Sequence, residues 1–259
     1  MLTHLHIKNF KAWKDTGPIR LAPLTVIFGA NSAGKSSLGH LLLALQQTAR
    51  STDRKRVLNL GDSSSMIDLG TFADCLHGHD LGQTMEFELG WKLNRPLDIR
   101  DPLVTTARYQ GDQMQLIVEL VAGKLDQPEM QAMSYALKKG GRCVLDVSMR
   151  RDNKRKFTLS SEHYSFKMAD GRKWPLEEPE KFYRLSDTTA ARFKNAGFMA
   201  DFALATESLL DSLSYLGPLR DHPRRIYPWS GDTPPSVGQR GEDAVRAILA
   251  AENEGRKLN

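Results

Sequence analysis

Eight consecutive residues have the types and spacing needed to hold a chain of phosphates. They are Gly29-Ala30-Asn31-Ser32-Ala33-Gly34-Lys35-Ser36, and they match the pattern G-x-x-x-x-G-K-[ST] at every fixed position. Two glycines allow the backbone to curl, so that successive N–H groups point at phosphate oxygens. A lysine at this place reaches the β- and γ-phosphates, and the hydroxyl after it is a magnesium ligand. The spacing therefore predicts a site for ATP and Mg²⁺, with Ser36 on the metal.

The segments on either side of this loop have the pattern that would position it. Leu24 to Phe28 is a short apolar run that ends at a glycine, and it predicts a buried strand. After the loop, apolar residues at helical spacing predict a helix from Lys35 to Ala49. These residues are Leu38, Leu41, Leu42 and Leu45. The positive N-terminal end of that helix would add to the attraction for phosphate.

The rest of the chain divides into stretches of different character. Residues 1–50 form the strand, loop and helix unit, with further short strands predicted at His4 to Phe10 and at Gly17 to Leu21. Residues 51–80 are polar at first and predict a mobile loop. Residues 81–190 alternate between apolar and polar positions, which predicts antiparallel strands. The alternating sets are Met85 to Trp91, Met114 to Leu120, Cys143 to Met149 and Tyr164 to Met168.

Residues 191–259 return to helical spacing at both ends. A helix is predicted from Ala191 to Ser214 and another from Gly241 to Ala251, with an irregular segment rich in proline and arginine between them. We interpret the whole chain, residues 1–259, as one lobe of a larger architecture.

The composition of the chain bears on the cellular compartment it works in and on the kinds of partner it could bind. The chain has 259 residues, 40% of them hydrophobic, and no run approaches the roughly 20 apolar residues of a membrane helix. The N-terminus lacks the pattern of a signal peptide. The two cysteines, Cys75 and Cys143, form no metal-type pair, which favours a reducing cytoplasm. A net charge of +5 permits contact with nucleic acid, but a solvated basic surface explains it equally well.

Two blocks at the N-terminus resemble a known group of ATPases. Ile7-Lys8-Asn9-Phe10-Lys11-Ala12-Trp13 and the block from Leu24 through Ser37 are similar to the opening of RecF, SMC and OLD-type proteins, which are ABC-type ATPases of the broader AAA group. Asn31 inside the loop is typical of them. Shorter strings resemble bacterial predicted ATPases of the same type, many of which act in DNA repair or anti-phage defence. They are Asp68 to Asp74, Tyr215 to Arg220, Val237-Gly238 and Gly241-Glu242.

The resemblance implies a fold, a site and a working cycle. The fold would be α/β: a P-loop NTPase lobe of ABC-ATPase type, whose central sheet carries the phosphate loop, with a largely antiparallel β region over it. The nucleotide site would include Ser37 after the loop, and Lys11 near the α-phosphate or the ribose. A surface lysine at a strand end is the alternative for Lys11. ATP would drive dimerisation or contact with a partner subunit through the nucleotide face, on DNA or in a defence complex.

Hydrolysis in such ATPases needs elements that the sequence does not supply clearly. One is a signature segment, which only Ser236 to Gly241 faintly resembles; the other is an apolar strand ending in Asp-Glu. Cys143 to Asp146 ends in Asp, but Val147 follows, and the run ending at Glu119 fails similarly. Catalytic residues are therefore left unassigned, and we expect the N-terminal part of a longer ATPase or a naturally short one. The alternative is a nucleotide-binding regulatory or structural subunit that does not hydrolyse ATP. A kinase or GTPase is a third alternative, although no Asn-Lys-x-Asp guanine motif is present.

Other charged groups have competing explanations. His77-Gly78-His79-Asp80, with Asp74 and Cys75 nearby, has some character of a zinc loop, but no further ligands stand at a reliable spacing. Asp68 or Asp74 is a weaker candidate for coupling nucleotide to a second lobe. Two basic groups could contact phosphate backbones or be solvated surface. They are Arg142, Arg150, Arg151, Lys154, Arg155 and Lys156, and then Arg220, Arg224, Arg225 and Arg240.

Overall fold

A computed structural model describes residues 1–171, 174–234, 236–253 and 255. The chain separates into two compact units, Met1–Leu210 and Asp211–Asn259. In the described residues, the first unit contains the predicted phosphate loop, residues 29–36, and every strand, and the second contains the last helix.

Eight strands in the first unit form one sheet, and every paired neighbour in it is antiparallel. The strands are β1 (Leu2–Phe10), β2 (Trp13–Asp15), β3 (Ile19–Arg20), β4 (Met85–Arg100), β5 (Arg108–Ala122), β6 (Pro128–Lys139), β7 (Arg142–Arg151) and β8 (Phe157–Ser160). Their order is β2-β1-β4-β5-β6-β7-β8, with β3 also paired to β1. Strands β4 to β8 are joined by short connections, and this favours a meander of successive hairpins.

One face of the sheet is buried and the other is polar. Alternate side chains such as Phe87, Leu116 and Tyr135 are almost fully buried. Phe87 packs edge-on against Phe182, with ring centroids 5.7 Å apart, and Tyr135 packs against Phe202 at 5.4 Å. The residues between them on the strands are half-buried and mostly polar, as the period of two requires.

Five helices accompany the sheet in the described residues. They are α1 (Lys35–Arg50), α2 (Phe72–Cys75), α3 (Asp187–Ala191), α4 (Met199–Asp211) and α5 (Ala244–Asn253). Helix α1 begins directly after Gly34, and the carbonyls of Ala49 in its last turn and of Ser51, its C-cap, accept hydrogen bonds from the Lys181 ammonium. None of the described helices has the length and apolar character that crossing a bilayer requires.

The predicted fold class is wrong. We expected an α/β P-loop NTPase lobe of ABC-ATPase type in which a central sheet carries the phosphate loop, but the structure is mainly an antiparallel eight-stranded sheet. Leu24 to Phe28, predicted as a buried strand, is assigned to no strand, and Leu24 and Phe28 are 82% and 88% exposed. The physical reason is pairing: an apolar run becomes a buried strand only when neighbouring strands satisfy its backbone groups. No strand in the described residues pairs with this run.

Several element predictions are confirmed and others are wrong. The strand at His4 to Phe10, the helix after the loop and the strands around Phe87, Leu116 and Leu145 are all present. Tyr164 to Met168 is not a strand, because these aromatic side chains pack irregularly against Phe193 and Phe198. The helix predicted from Ala191 to Ser214 is shorter than expected, since α3 ends at Ala191 and α4 covers only Met199–Asp211.

Candidate functional site

The predicted phosphate loop, residues 29–36, is a turn of alternating backbone handedness that leads into α1. Gly29, Ser32 and Gly34 have positive φ values of 155°, 63° and 83°. Alternation of this kind turns consecutive N–H groups toward one side and forms a concave anion site. No side chain caps the N-terminus of α1, whose N-cap residue is Gly34, so no side-chain oxygen occupies the place where a phosphate oxygen would be attracted.

Gly34 is required at the point where the loop meets the β1–β2 turn. A Cβ added there would lie 2.6 Å from the Ala12 Cβ and 3.2 Å from Trp13 Nε1. Trp13 also donates a hydrogen bond from Nε1 to the Gly34 carbonyl, at 3.0 Å. The tryptophan therefore fixes the start of the helix against the first strand pair.

The β1–β2 turn brings Lys11 to the loop. A pocket between them is lined by Lys11, Ala12, Ser32, Gly34, Lys35, Ser36 and Ser37. Lys11 has a positive φ of 49°, and its backbone N–H donates to the Cys75 carbonyl at 2.7 Å. The structure thus joins Lys11 to Ser32 and residues 34–37, which are far from it in sequence but were all expected at the nucleotide site.

The segment around α2 holds Lys11 in place. Its ammonium lies 3.4 Å from the carbonyl oxygens of both Leu69 and Asp74, and its own carbonyl accepts a hydrogen bond from His77 Nδ1 at 3.0 Å. Asp74 closes a capping box with Thr71, and these hydrogen bonds hold the pKa of its carboxyl below the usual range. Asp74 is therefore a helix cap here, and Asp68 accepts the N–H of Gly70 in a local turn.

The pocket is positively charged. None of its described lining residues is a carboxylate, whereas both Lys11 and Lys35 contribute ammonium groups. The Lys35 ammonium donates to the Gly29 carbonyl at 2.8 Å and to the Ala30 carbonyl at 2.6 Å. Burial and the nearby Lys11 charge lower the pKa of His40 on α1. A polyanion is the ligand that this charge distribution favours.

The remaining loop residues lie around this pocket and do not line it. Gly29 and Ala30 contribute carbonyls to Lys35, and the Ala33 N–H donates to the Ala30 carbonyl at 3.3 Å. Asn31 is exposed at the tip of the turn. Ser36, the expected magnesium ligand, is exposed and faces the pocket together with Ser37, which is buried.

Both carboxylates considered for water activation lie outside the pocket lining. Glu119 on β5 is paired with Arg150, whose Nη1 is 3.0 Å from Glu119 Oε2. Asp146 on β7 accepts hydrogen bonds from Ser161 Oγ and from the Glu162 and His163 backbone N–H groups. Both carboxylates are therefore held by hydrogen-bond partners elsewhere and do not line the pocket.

The first basic group is partly neutralised. Arg150 pairs with Glu119, and both Arg151 and Arg155 pair with Glu129. Arg142, Lys154 and Lys156 have no carboxylate partner among the described residues. In the second unit, Arg224 pairs with Asp221 at 2.8 Å, and the Arg220 guanidinium donates to the Gly217 carbonyl. In each group, some of the arginines are therefore already paired with oxygens of the protein itself.

The histidine loop does not assemble a metal site in the described residues. His77 and His79 are occupied by the carbonyls of Lys11 and Ala73. Three potential ligands do converge elsewhere, at Cys143, Asp146 and His163. Sequence reasoning missed this group because His163 lies outside the alternating run and because Cys143 was assigned to the buried face.

No protein-family model matches this chain, and no curated protein matches it either. The functional proposal therefore rests on the pocket itself.

Proposed function

We propose that this protein binds ATP with Mg²⁺ at residues 29–37, and that Lys11 contributes a second cation from the β1–β2 turn. The observation that carries the proposal is the pocket in which an uncapped helix N-terminus, a turn of alternating handedness and two lysines face the same space. The proposal concerns this phosphate site and not the α/β fold, which the protein does not have.

The chemical roles follow from the types of atom at the site. Backbone N–H groups of the turn and the first turn of α1 would hold the β-phosphate, as in other anion sites at helix N-termini. Lys35 would leave the Gly29 and Ala30 carbonyls for the β- and γ-phosphates, since a phosphate is a stronger partner for an ammonium than a neutral carbonyl is. The Ser36 hydroxyl would take one position on the magnesium ion.

The resemblance to RecF, SMC and OLD-type ATPases supports a cellular context. We propose that nucleotide binding drives association with a second copy or a partner subunit through the nucleotide face, in DNA repair or anti-phage defence and in the cytoplasm. The pairing of Arg150, Arg151 and Arg155 with acidic residues gives the hairpin of β7 and β8 little support as the DNA contact.

A second candidate is a subunit that binds ATP without hydrolysing it. The described lining of the pocket includes no carboxylate that would orient an attacking water. This observation favours a binding role for the chain by itself, and turnover would then require groups from elsewhere.

Titration with a fluorescent ATP analogue and Mg²⁺ tests the proposal. Lys35→Ala is expected to weaken binding 10-fold or more, about 1.4 kcal/mol, because the charge facing the phosphates is lost. Lys11→Ala is expected to weaken it by a smaller factor. Lys139→Ala removes an exposed lysine at the end of β6 and serves as the matched control with parental affinity. Equal affinity in the parent protein and Lys35→Ala would refute the phosphate site.

A further inference from the structure

A break in the β6–β7 pairing changes the face on which Cys143 lies. Leu137 pairs with Leu145, but the next residue of β6, Lys138, pairs with Cys143, so that Val144 is an extra residue in β7. Without this bulge, Cys143 would share the buried face with Leu145 and Val147. With it, the Cys143 thiol lies on the polar face beside Asp146.

The chain after β8 returns to the same place and adds a histidine. His163 Nδ1 is 2.7 Å from Asp146 Oδ1 and 4.0 Å from Cys143 Sγ. One ligand atom from each of the three residues lies within 4.8 Å of the other two. Ser161 Oγ and the backbone N–H groups of residues 162 and 163 hold the Asp146 carboxylate from the side of this loop.

We propose that Cys143, Asp146 and His163 bind a zinc ion on the polar face of the sheet. Sulfur, imidazole nitrogen and carboxylate oxygen are the donor set that Zn²⁺ prefers among divalent ions in proteins. Tetrahedral bonds of about 2.0–2.3 Å place ligand atoms roughly 3.2–3.8 Å apart. The Cys143 and His163 atoms need to approach by a few tenths of an ångström, and the His163 and Asp146 atoms need to separate by about half an ångström.

Zinc binding requires two proton movements. The Cys143 thiol releases its proton to solvent and binds as a thiolate. Without the metal, His163 Nδ1–H donates to Asp146 Oδ1, so on binding the neutral ring exchanges protons with solvent and carries its proton on Nε2, which frees Nδ1 for the metal. Asp146 binds as a carboxylate. Only three protein ligands are present among the described residues, and the His163 side chain is 37% exposed, so a water molecule completes the coordination.

The ion would link the loop after β8, through His163, to Cys143 and Asp146 on β7. Asp146 also borders a groove across β5, β6 and β7 whose polar residues are Gln115, Ser134 and Ser148. The hydroxyls of Ser134 and Ser148 already contact each other at 2.9 Å. The open coordination position therefore lies beside a polar surface, and binding here is independent of the phosphate loop.

Titration of the metal-free, reduced protein with Co²⁺ in the absence of nucleotide tests this site. One Co²⁺ per chain is expected, with a thiolate-to-cobalt charge-transfer band that added Zn²⁺ removes. Cys143→Ser is expected to abolish the band, and His163→Gln to weaken Co²⁺ binding at least 10-fold. Lys35→Ala should leave the spectrum unchanged, because the phosphate loop does not take part.

The second cysteine provides the matched control. Cys75 is fully buried, and burial raises the pKa of its thiol to about 11, so Cys75→Ala should keep the charge-transfer band. Alkylation gives an independent measurement that needs no substitution at any of the three ligands: Zn²⁺ should slow modification of Cys143 in Cys75→Ala at least 10-fold. Absence of the band in the parent protein, its survival in Cys143→Ser, or alkylation unaffected by Zn²⁺ would overturn the proposal.

Discussion

Replacement of Gly34 by alanine tests the junction between the phosphate loop and the first strand pair. Gly34 has φ +83° and ψ 11°, and a Cβ at this residue would lie 2.6 Å from the Ala12 Cβ. Two costs follow from these numbers. The left-handed conformation costs an alanine about 1–2 kcal/mol, and overpacking against Ala12 adds about 1–3 kcal/mol.

The backbone strain and the overpacking both raise the free energy of the folded loop and not of the unfolded chain. We expect Gly34→Ala to destabilise the first unit by about 3 kcal/mol, or to open the loop locally if opening costs less than global unfolding. In either case ATP binding should weaken at least 10-fold, because the turn that directs N–H groups at the phosphates is disturbed.

A second substitution separates the two costs. Ala12→Gly removes the methyl group that the new Cβ would meet, and it leaves the backbone strain at residue 34 in place. The double variant should therefore recover about 1 kcal/mol or more relative to the sum of the single variants, which is a coupling typical of residues in contact. Urea unfolding monitored by circular dichroism measures all four free energies.

Gly39 provides the control for the glycine itself. It lies within α1 with ordinary helical geometry, and a Cβ there would meet nothing within 4 Å. Gly39→Ala should stabilise the protein by about 0.5–1 kcal/mol. Parental stability and ATP affinity in Gly34→Ala, or no recovery in the double variant, would show that the loop does not pack on the β1–β2 turn as described.

Three further predictions concern the metal, turnover and pH. Ser36→Ala should weaken ATP binding more with Mg²⁺ than with EDTA, since the hydroxyl is the proposed metal ligand, and an unchanged ratio in titrations would count against that role. The chain alone should release phosphate from saturating ATP far more slowly than about 1 per second; turnover at that rate, abolished in Lys35→Ala, would reveal a catalytic carboxylate outside the described lining. Burial raises the pKa of Glu129, but hydrogen bonds and charge from Arg151 and Arg155 outweigh it and lower the pKa below 4.5. The stabilisation that ionised Glu129 provides is therefore complete above its pKa in the unfolded chain, and it is lost as the pH falls through its lower pKa in the folded protein. In urea unfolding, Glu129→Gln should thus lower the free energy of unfolding by about 1 kcal/mol at pH 7 and by progressively less below pH 4.5. A cost that does not change with pH would contradict this account.

Local sequence patterns predicted the secondary structure correctly where the residues that interact are close in sequence. The helix after the phosphate loop begins at Lys35, as the motif and the leucine spacing predicted, because helical hydrogen bonds join residues four apart. The buried stripe differs slightly, since Leu43 is buried and Leu42 is only half-buried. The alternating runs on β4, β5 and β7 were also recognisable, because a half-buried strand has a period of two.

Local sequence patterns gave the wrong prediction where strand pairing decides whether a residue is buried and on which face of the sheet it lies. Leu24 to Phe28 has the composition of a buried strand, yet it is exposed because no strand in the described residues pairs with it. Cys143 fits the alternation of the buried face, yet one extra residue in β7 moves it to the polar face. Neither outcome is encoded within the few residues concerned.

The sequence by itself determined the G-x-x-x-x-G-K-[ST] motif, with its lysine and hydroxyl, and the helix that follows, because all of these depend on residue types at fixed short spacings. Only the tertiary structure decided that Lys11 lines the same pocket, that Gly34 must lack a side chain, and that Cys143 and His163 meet at Asp146. These contacts depend on the register of paired strands and on where loops return to the sheet. Both are set by packing between residues far apart in the chain, which no local pattern specifies.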